Sequence, residues 1–196
     1  WTFSFGKTMH NTLHRYFTTW MERTGKRQAG LFEQRLIDGQ KVTESGSELP
    51  VSIEELLEMY RASWIDEWYP NDRTREEYRT RGREQLKAYV ATFRELPPKP
   101  FALEQGFTYK VGDVVLKGRI DRIDSFEDGI EIIDYKTGSP KKTLERNEKE
   151  QLFLYQLAAR DVLKLHPTKL TYVYLENQSR VSFLGTDDDL FEMQES

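Results

Sequence analysis

The sequence predicts an α/β fold in which a mixed central sheet is flanked by helices. Three observations lead there. Apolar residues recur at spacings of three and four up to about Leu96. After Pro97, Pro98 and Pro100 the period changes to that of strands. A helical segment then separates a third strand from a last strand pair. The predicted order is helices, antiparallel strands, helix, strands, with no internal repeat and no low-complexity tract.

The first helix is predicted from Gly6 to about Thr24, with Met9, Leu13, Tyr16, Phe17 and Trp20 on its apolar face. His10 and His14, four apart, lie on or beside that face. Gln28 to Pro50 is polar and turn-rich apart from Leu31, Phe32, Leu36 and Ile37, and is expected to be a loosely structured connection. Ser52 and Glu55 make a capping box ahead of Leu56, Leu57 and Tyr60, opening a helix expected to reach about Trp68 before Pro70 breaks it. A long helix is expected over Thr74 to Leu96, with Tyr78, Leu86, Tyr89, Val90 and Phe93 inward and Gly82 weakening its middle.

Strands are predicted at Phe101 to Lys110, Val114 to Asp124 and Ile130 to Thr137, with turns at Val111-Gly112-Asp113 and Asp128-Gly129. A well-packed helix over Asn147 to Leu165 follows. Leu170 to Leu175 and Arg180 to Leu184 form the last strand pair, around Asn177.

At 196 residues the chain is expected to be a single domain. A 37% hydrophobic and 13% aromatic content supports a folded core although 32% of residues are charged. The net charge of −4 supplies no global basic field, so any polyanion must be met by a local patch or a partner. Cysteine is absent, which excludes disulfides, Cys-ligated zinc and an iron–sulfur cluster held by this chain, and fits the cytoplasm. No stretch approaches the length of a transmembrane helix, so no membrane partner is expected, and the N-terminus lacks a secretory signal pattern. The chain opens at Trp1, and it is read as a piece excised from something longer.

Chemistry concentrates in Gly118 to Thr137, GRIDRIDSFEDGIEIIDYKT. Asp134 and Lys136 are two apart on a strand and project to one face. They sit in an apolar run expected inside a sheet, where charge is costly unless it is paired or binds metal. The hairpin can bring Asp121, expected to end its strand, beside Asp134, so that both carboxylates share one divalent cation. Hard oxygen donors suit Mg²⁺ or Mn²⁺. Such an ion acidifies bound water and offsets charge on a phosphodiester. Lys136 can orient or deprotonate that water, or donate to the pentavalent phosphorus. A bare D-x-K is common and usually a structural ion pair, so the pattern gains force only with GRID upstream and the motifs around it.

Those motifs together resemble the PD-(D/E)xK nuclease superfamily in its RecB-like branch. The likeness is to nuclease domains at the C-terminal end of UvrD-like and AddAB-type helicases. The branch pattern G-x-x-x-H-x-x-L stands as Gly6, His10 and Leu13. The central signature stands as GRIDRID and DYKTG, and the trailing Q-L-x-x-Y helix as Gln151, Leu152 and Tyr155. LENQSRVSF resembles the closing strand pair.

The resemblance implies a restriction-endonuclease-like fold and a metal site of Asp121, Asp134, the Tyr135 carbonyl and His10, with Lys136 as the catalytic lysine. It implies that Glu104 binds metal through water or supports the ligands, the plain alternative being a solvated strand-edge Glu. Gln151 and Tyr155, four apart on one helical face, would position the scissile phosphate or Lys136, with Tyr155 as core the alternative. Imidazole ligation tilts a site toward Mn²⁺. The implied activity is metal-dependent DNA hydrolysis in repair or recombination, on single strands fed by helicase motor domains in cis or in trans. A catalytically silent DNA-binding or scaffolding domain and an RNA-directed nuclease are the rival readings.

Two departures qualify the likeness. Branch members often carry Glu where this chain has His14, which is therefore given no catalytic role, and some use a four-cysteine cluster that this chain cannot build. Arg73, Arg75, Arg79, Arg81, Arg83 and Lys87 form a basic run diluted by Glu76, Glu77 and Glu84, the usual look of a solvated helix face. Lys141 and Lys142, just past DYKTG, are better placed to meet phosphate.

Overall fold

The computed structural model describes residues 2–25, 49–141 and 143–195. The expected connection over Gln28 to Pro50 falls almost wholly outside these, as does Lys142. Contacts divide the chain into two compact units, Trp1–Val90 and Ala91–Ser196.

The first unit is helical. Helix α1 (Thr2–Arg23) buries Phe5, Met9, Leu13, Tyr16 and Phe17 along one face, as their spacing predicts. It starts four residues before Gly6. Helix α2 (Ile53–Ser63) opens on the expected capping box: the Glu55 N–H donates to Ser52 Oγ at 3.2 Å and the Ser52 N–H to Glu55 Oε2 at 2.9 Å. Its end differs from expectation. Trp64 is already extended, at φ −62° and ψ 127°, and the Ile65 N–H donates to Thr8 Oγ1 of α1 at 3.1 Å. A side chain on another helix thus captures the donor that a further turn would have used.

Helix α3 (Asp72–Ala91) continues into a 3₁₀ turn over Thr92–Arg94, ahead of the prolines. Gly82 does more than weaken it. A Cβ there would collide with the Tyr60 hydroxyl of α2, which donates toward the Tyr78 and Arg79 carbonyls at 3.4 and 3.3 Å. Glycine permits the close approach of the two helices.

In the second unit five strands among the described residues form one mixed sheet in the order β1-β2-β3-β4-β5. They are β1 (Pro100–Val111), β2 (Val114–Phe126), β3 (Gly129–Lys136), β4 (Pro167–Tyr174) and β5 (Ser179–Phe183). Antiparallel pairing joins β1 to β2, β2 to β3 and β4 to β5, whereas β3 and β4 are parallel. Helix α4 (Arg146–Asp161) makes the crossover between those parallel strands, and ends four residues before the predicted Leu165. Leu152, Phe153, Leu157 and Ala158 of α4 pack on Ile123, Ile132, Leu170 and Tyr172 of the sheet.

A helix that the sequence reading omitted, α5 (Asp187–Glu195), closes the unit. Thr186 and Asp189 cap it reciprocally, the Asp189 N–H donating to Thr186 Oγ1 at 3.2 Å and the Thr186 N–H to Asp189 Oδ2 at 2.9 Å. No helix among the described residues is long and apolar enough to cross a membrane.

Candidate active site

Strands β2 and β3 are paired only from Arg122↔Ile133 to Phe126↔Gly129. Beyond that point β2 stays with β1 while β3 stays with β4, so the sheet forks. Asp121 and Asp134 are the residues at the fork. Asp121 lies inside β2 rather than at its end, contrary to expectation, because the strand runs on to Phe126. Across the gap the Tyr135 N–H donates to Asp121 Oδ2 at 2.9 Å, replacing a ladder bond with a side-chain bond. The hairpin thus brings Asp121 to the strand that carries Asp134.

Asp134 and Lys136 share a face as their spacing requires, with Lys136 Nζ 2.8 Å from Asp134 Oδ2. Asp134 is buried, while the Lys136 side chain keeps 34% of its exposure. Gln151, on the first half of α4, joins them. Its Oε1 accepts from Lys136 Nζ at 2.7 Å, and its Nε2 donates to Asp134 Oδ1 at 2.9 Å and to Tyr155 Oη at 2.8 Å. Charge decides the amide orientation: the flipped form would face N–H toward an ammonium and oxygen toward a carboxylate. Tyr155 is both packed in the core and tied to Gln151. Its ring packs edge-on against Phe107 at 5.7 Å, and its hydroxyl ends the network. Burial and the nearby Asp134 charge push its phenol well above the usual range.

Glu104 stands on β1 between the pairs Leu103↔Arg122 and Gln105↔Ile120, level with Asp121. A carboxylate oxygen of each lies within 4.8 Å of the other. Glu104 also has φ +47°, a left-handed conformation that costs energy in a non-glycine residue inside a strand. Its side chain is half-buried, and Arg119 Nη1 stands 3.4 Å from its Oε2, so it is not a plain solvated edge residue. Two carboxylates this close repel unless a cation lies between them. Oxygens about 2.1 Å from one Mg²⁺ lie at most about 4.2 Å apart, so a small closure suffices. The donor set of hard oxygens at the fork therefore fits a divalent cation.

His10 is half-buried on α1, in the first unit, with Met9 and Leu13 fully buried beside it. Lys141 is engaged by Glu148 in the first turn of α4.

Two features escaped the sequence reading. Tyr172 of β4 lies under Lys136, its ring centroid 4.6 Å from Nζ, and its hydroxyl donates to the Glu148 carbonyl at 2.7 Å. No local signal could have found it, since the Asp134↔Tyr172 register depends on parallel pairing. The second half of GRIDRID builds a buried ion pair: Arg122 Nε is 2.8 Å from Asp124 Oδ1, and Arg122 Nη1 donates to Tyr135 Oη at 2.8 Å. Here the i, i+2 spacing of Arg122 and Asp124 was a legible signal.

A family model supplies the decisive comparison, matching residues 2–195 to the PD-(D/E)XK nuclease superfamily. The chain belongs to that superfamily. Among curated proteins none matches the chain significantly. PD-(D/E)XK nucleases use divalent metals, and membership implies metal-dependent nuclease chemistry for this chain. The five-stranded mixed sheet with its flanking helices accords with the restriction-endonuclease-like fold of a PD-(D/E)XK protein.

Proposed function

We propose that this chain is a Mg²⁺- or Mn²⁺-dependent deoxyribonuclease of the RecB-like branch. In this reading residues 1–196 form one nuclease domain excised from a longer helicase-nuclease. Helicase motors in cis or in trans feed it single strands during repair or recombination. The observation that carries the catalytic reading is the fork, where Asp134 is bound into the network of Lys136 and Gln151 while Asp121, close to Glu104, accepts from the neighbouring Tyr135 N–H. The branch, the helicase and the single strand rest on the sequence motifs.

Asp121, Asp134 and the Tyr135 carbonyl would hold the metal, with Glu104 as a further acidic contact. His10 is proposed as an additional ligand on the strength of its G-x-x-x-H-x-x-L motif. When bound, the cation supplies an acidified water and offsets charge on the phosphate. Lys136 is fixed by a hydrogen bond to Gln151 Oε1, by an ion pair with Asp134 and by the Tyr172 face, so its ammonium is oriented before substrate arrives. From there it orients the attacking water or donates to the phosphate oxygens. Gln151 is a positioning residue, fixing Lys136 and Asp134 in relation to each other. Tyr155 holds Gln151 in turn.

A gel assay tests the reading, using labelled single-stranded DNA, double-stranded DNA and RNA in Mg²⁺, Mn²⁺, Ca²⁺ or EDTA. Cleavage of single-stranded DNA in Mg²⁺ or Mn²⁺, abolished by EDTA, is expected. Inertness toward every substrate in both metals would leave the silent scaffold in its place, and cleavage confined to RNA would reassign the substrate.

A further inference from the structure

The first unit carries a cleft of about 360 Å³ between α2 and α3 that the catalytic residues do not touch. Arg61, Arg79 and Arg83 line it together with Tyr60, Trp64 and Glu76. Three guanidinium groups and one carboxylate therefore line it. The carboxylate is a weak partner, its oxygens 3.7 Å from Arg79 Nη1 and 3.7 Å from Arg83 Nη2, beyond normal hydrogen-bond length.

A solvated helix face would leave these arginines in many rotamers, but Arg79 is held. Its guanidinium lies 5.0 Å from the Trp64 ring centroid, and Trp64 is itself stacked on Tyr69 at 5.3 Å with 13° between the planes. The Trp64 indole N–H donates to Asp66 Oδ1 at 3.1 Å, which fixes the ring further. Tyr60 is pinned to the α3 backbone through the Gly82 approach. Ordering Arg79 in advance lowers the entropy lost when an anion binds.

One residue before Tyr69, and not itself among the residues that line the cleft, Trp68 is 78% exposed and has φ +69°. Burial does not reward an indole there, and its backbone conformation is unfavourable for a bulky residue. Cationic grooves flanked by aromatic faces are the physical pattern of single-strand binding, with phosphates on arginine and bases on rings.

We propose that this cleft is a strand-binding subsite of the first unit, taking phosphates of a single-stranded polynucleotide on Arg79 and Arg83 and stacking a base on Trp68. The ligand class rests on the nuclease reading, whereas the site stands on residues outside the catalytic network.

The test is fluorescence anisotropy of a fluorescein-labelled oligo-dT 20-mer on the full chain in EDTA, where binding is readable whether or not the protein cleaves. Arg79→Gln/Arg83→Gln is expected to weaken binding roughly tenfold and to flatten the log–log salt slope by about 1.4, the loss of two single-strand phosphate contacts. Glu76→Gln is expected to tighten binding, a gain that misfolding cannot imitate. Trp68→Ala is expected to weaken it several-fold and to remove a quench of tryptophan emission. Oligo-rU is expected to bind within a few-fold of oligo-dT, since neither phosphate nor ring stacking senses a 2′-hydroxyl. Hydrolysis of bis(p-nitrophenyl) phosphate is expected to be unchanged in all three variants. No binding by the unaltered chain, or unaltered affinity in both the double arginine variant and Glu76→Gln, overturns the proposal. Failure to cleave DNA with the binding effects intact would instead overturn the nuclease reading alone.

Discussion

The β2–β3 hairpin contains two carboxylate–cation pairs of opposite character. Asp124 is enclosed by cation and donor: Arg122 meets it at 2.8 and 3.2 Å, and the Lys99 N–H donates to it at 3.1 Å. Both side chains are almost completely buried, at 2% and 3% exposure. Asp134 pairs with Lys136 through one oxygen and with Gln151 through the other, and the pair opens to solvent through the lysine. Asp121, three residues before Asp124, has a carboxylate oxygen within 4.8 Å of one on Glu104. The residue types in the two pairs are nearly the same, yet one pair is shut away from solvent and the other opens to it through its lysine. That opening, rather than the presence of charge in a sheet, distinguishes a site from a structural ion pair.

The sharpest way to break the contrast is to remove charge from the open pair. Asp134→Asn is expected to lower cleavage by at least about 10²-fold while leaving thermal unfolding close to the original, and Lys136→Ala to lower it as far but with some loss of stability, because it strands the buried Asp134 carboxylate. Full cleavage by purified Asp134→Asn protein would remove the proposed roles altogether.

The closed pair should respond in the opposite way. Arg122→Ala strands a buried carboxylate, and is expected to cost about 3–5 kcal/mol in denaturant unfolding. The fraction that remains folded is expected to cleave at nearly the original rate. A large loss of activity without loss of stability would show that the closed pair also acts in catalysis.

A smaller effect is expected at His10. An imidazole must be neutral to bind metal, so protonation near its reference pKa of about 6.5 competes with the ion. His10→Ala is expected to weaken metal affinity by calorimetry and to move cleavage to higher metal concentration, less severely than loss of Asp121 or Asp134. His14→Ala is expected to be near neutral. The reverse order would mean that the helix motif has been aligned to the wrong histidine.

The smallest effect concerns a third charged cluster, at Glu131. Burial opposes its ionisation, but the Thr171 hydroxyl, Arg180 at 2.7 Å and Lys169 at 3.3 Å outweigh it and hold its carboxyl below the usual range. A depressed folded value means stability present above the unfolded pKa of about 4.3 and lost as pH falls through the folded one. Glu131→Gln is accordingly expected to flatten the acid limb of a stability–pH curve, with cleavage at neutral pH unchanged. An acid limb identical to that of the unaltered chain would place the pH sensitivity elsewhere.

What was legible in the sequence was what neighbours along the chain decide. The Ser52–Glu55 cap, the two-residue turn with Gly112 at φ +55°, the shared face of Asp134 and Lys136, and the i, i+4 pair Gln151–Tyr155 all follow from short-range geometry. The start of α5 is likewise written in the spacing of Thr186 and Asp189. Tertiary structure decided the rest. Helix α2 stops at Ser63 because Thr8, 57 residues from the N–H it captures, lies beside it. Tyr172 supports Lys136 because β4 pairs parallel to β3, and Glu104 meets Asp121 because β1 holds a register that places them level. Short-range sterics and hydrogen bonds are written residue by residue, but which distant side chains meet is decided only when burial of the whole apolar surface selects one packing.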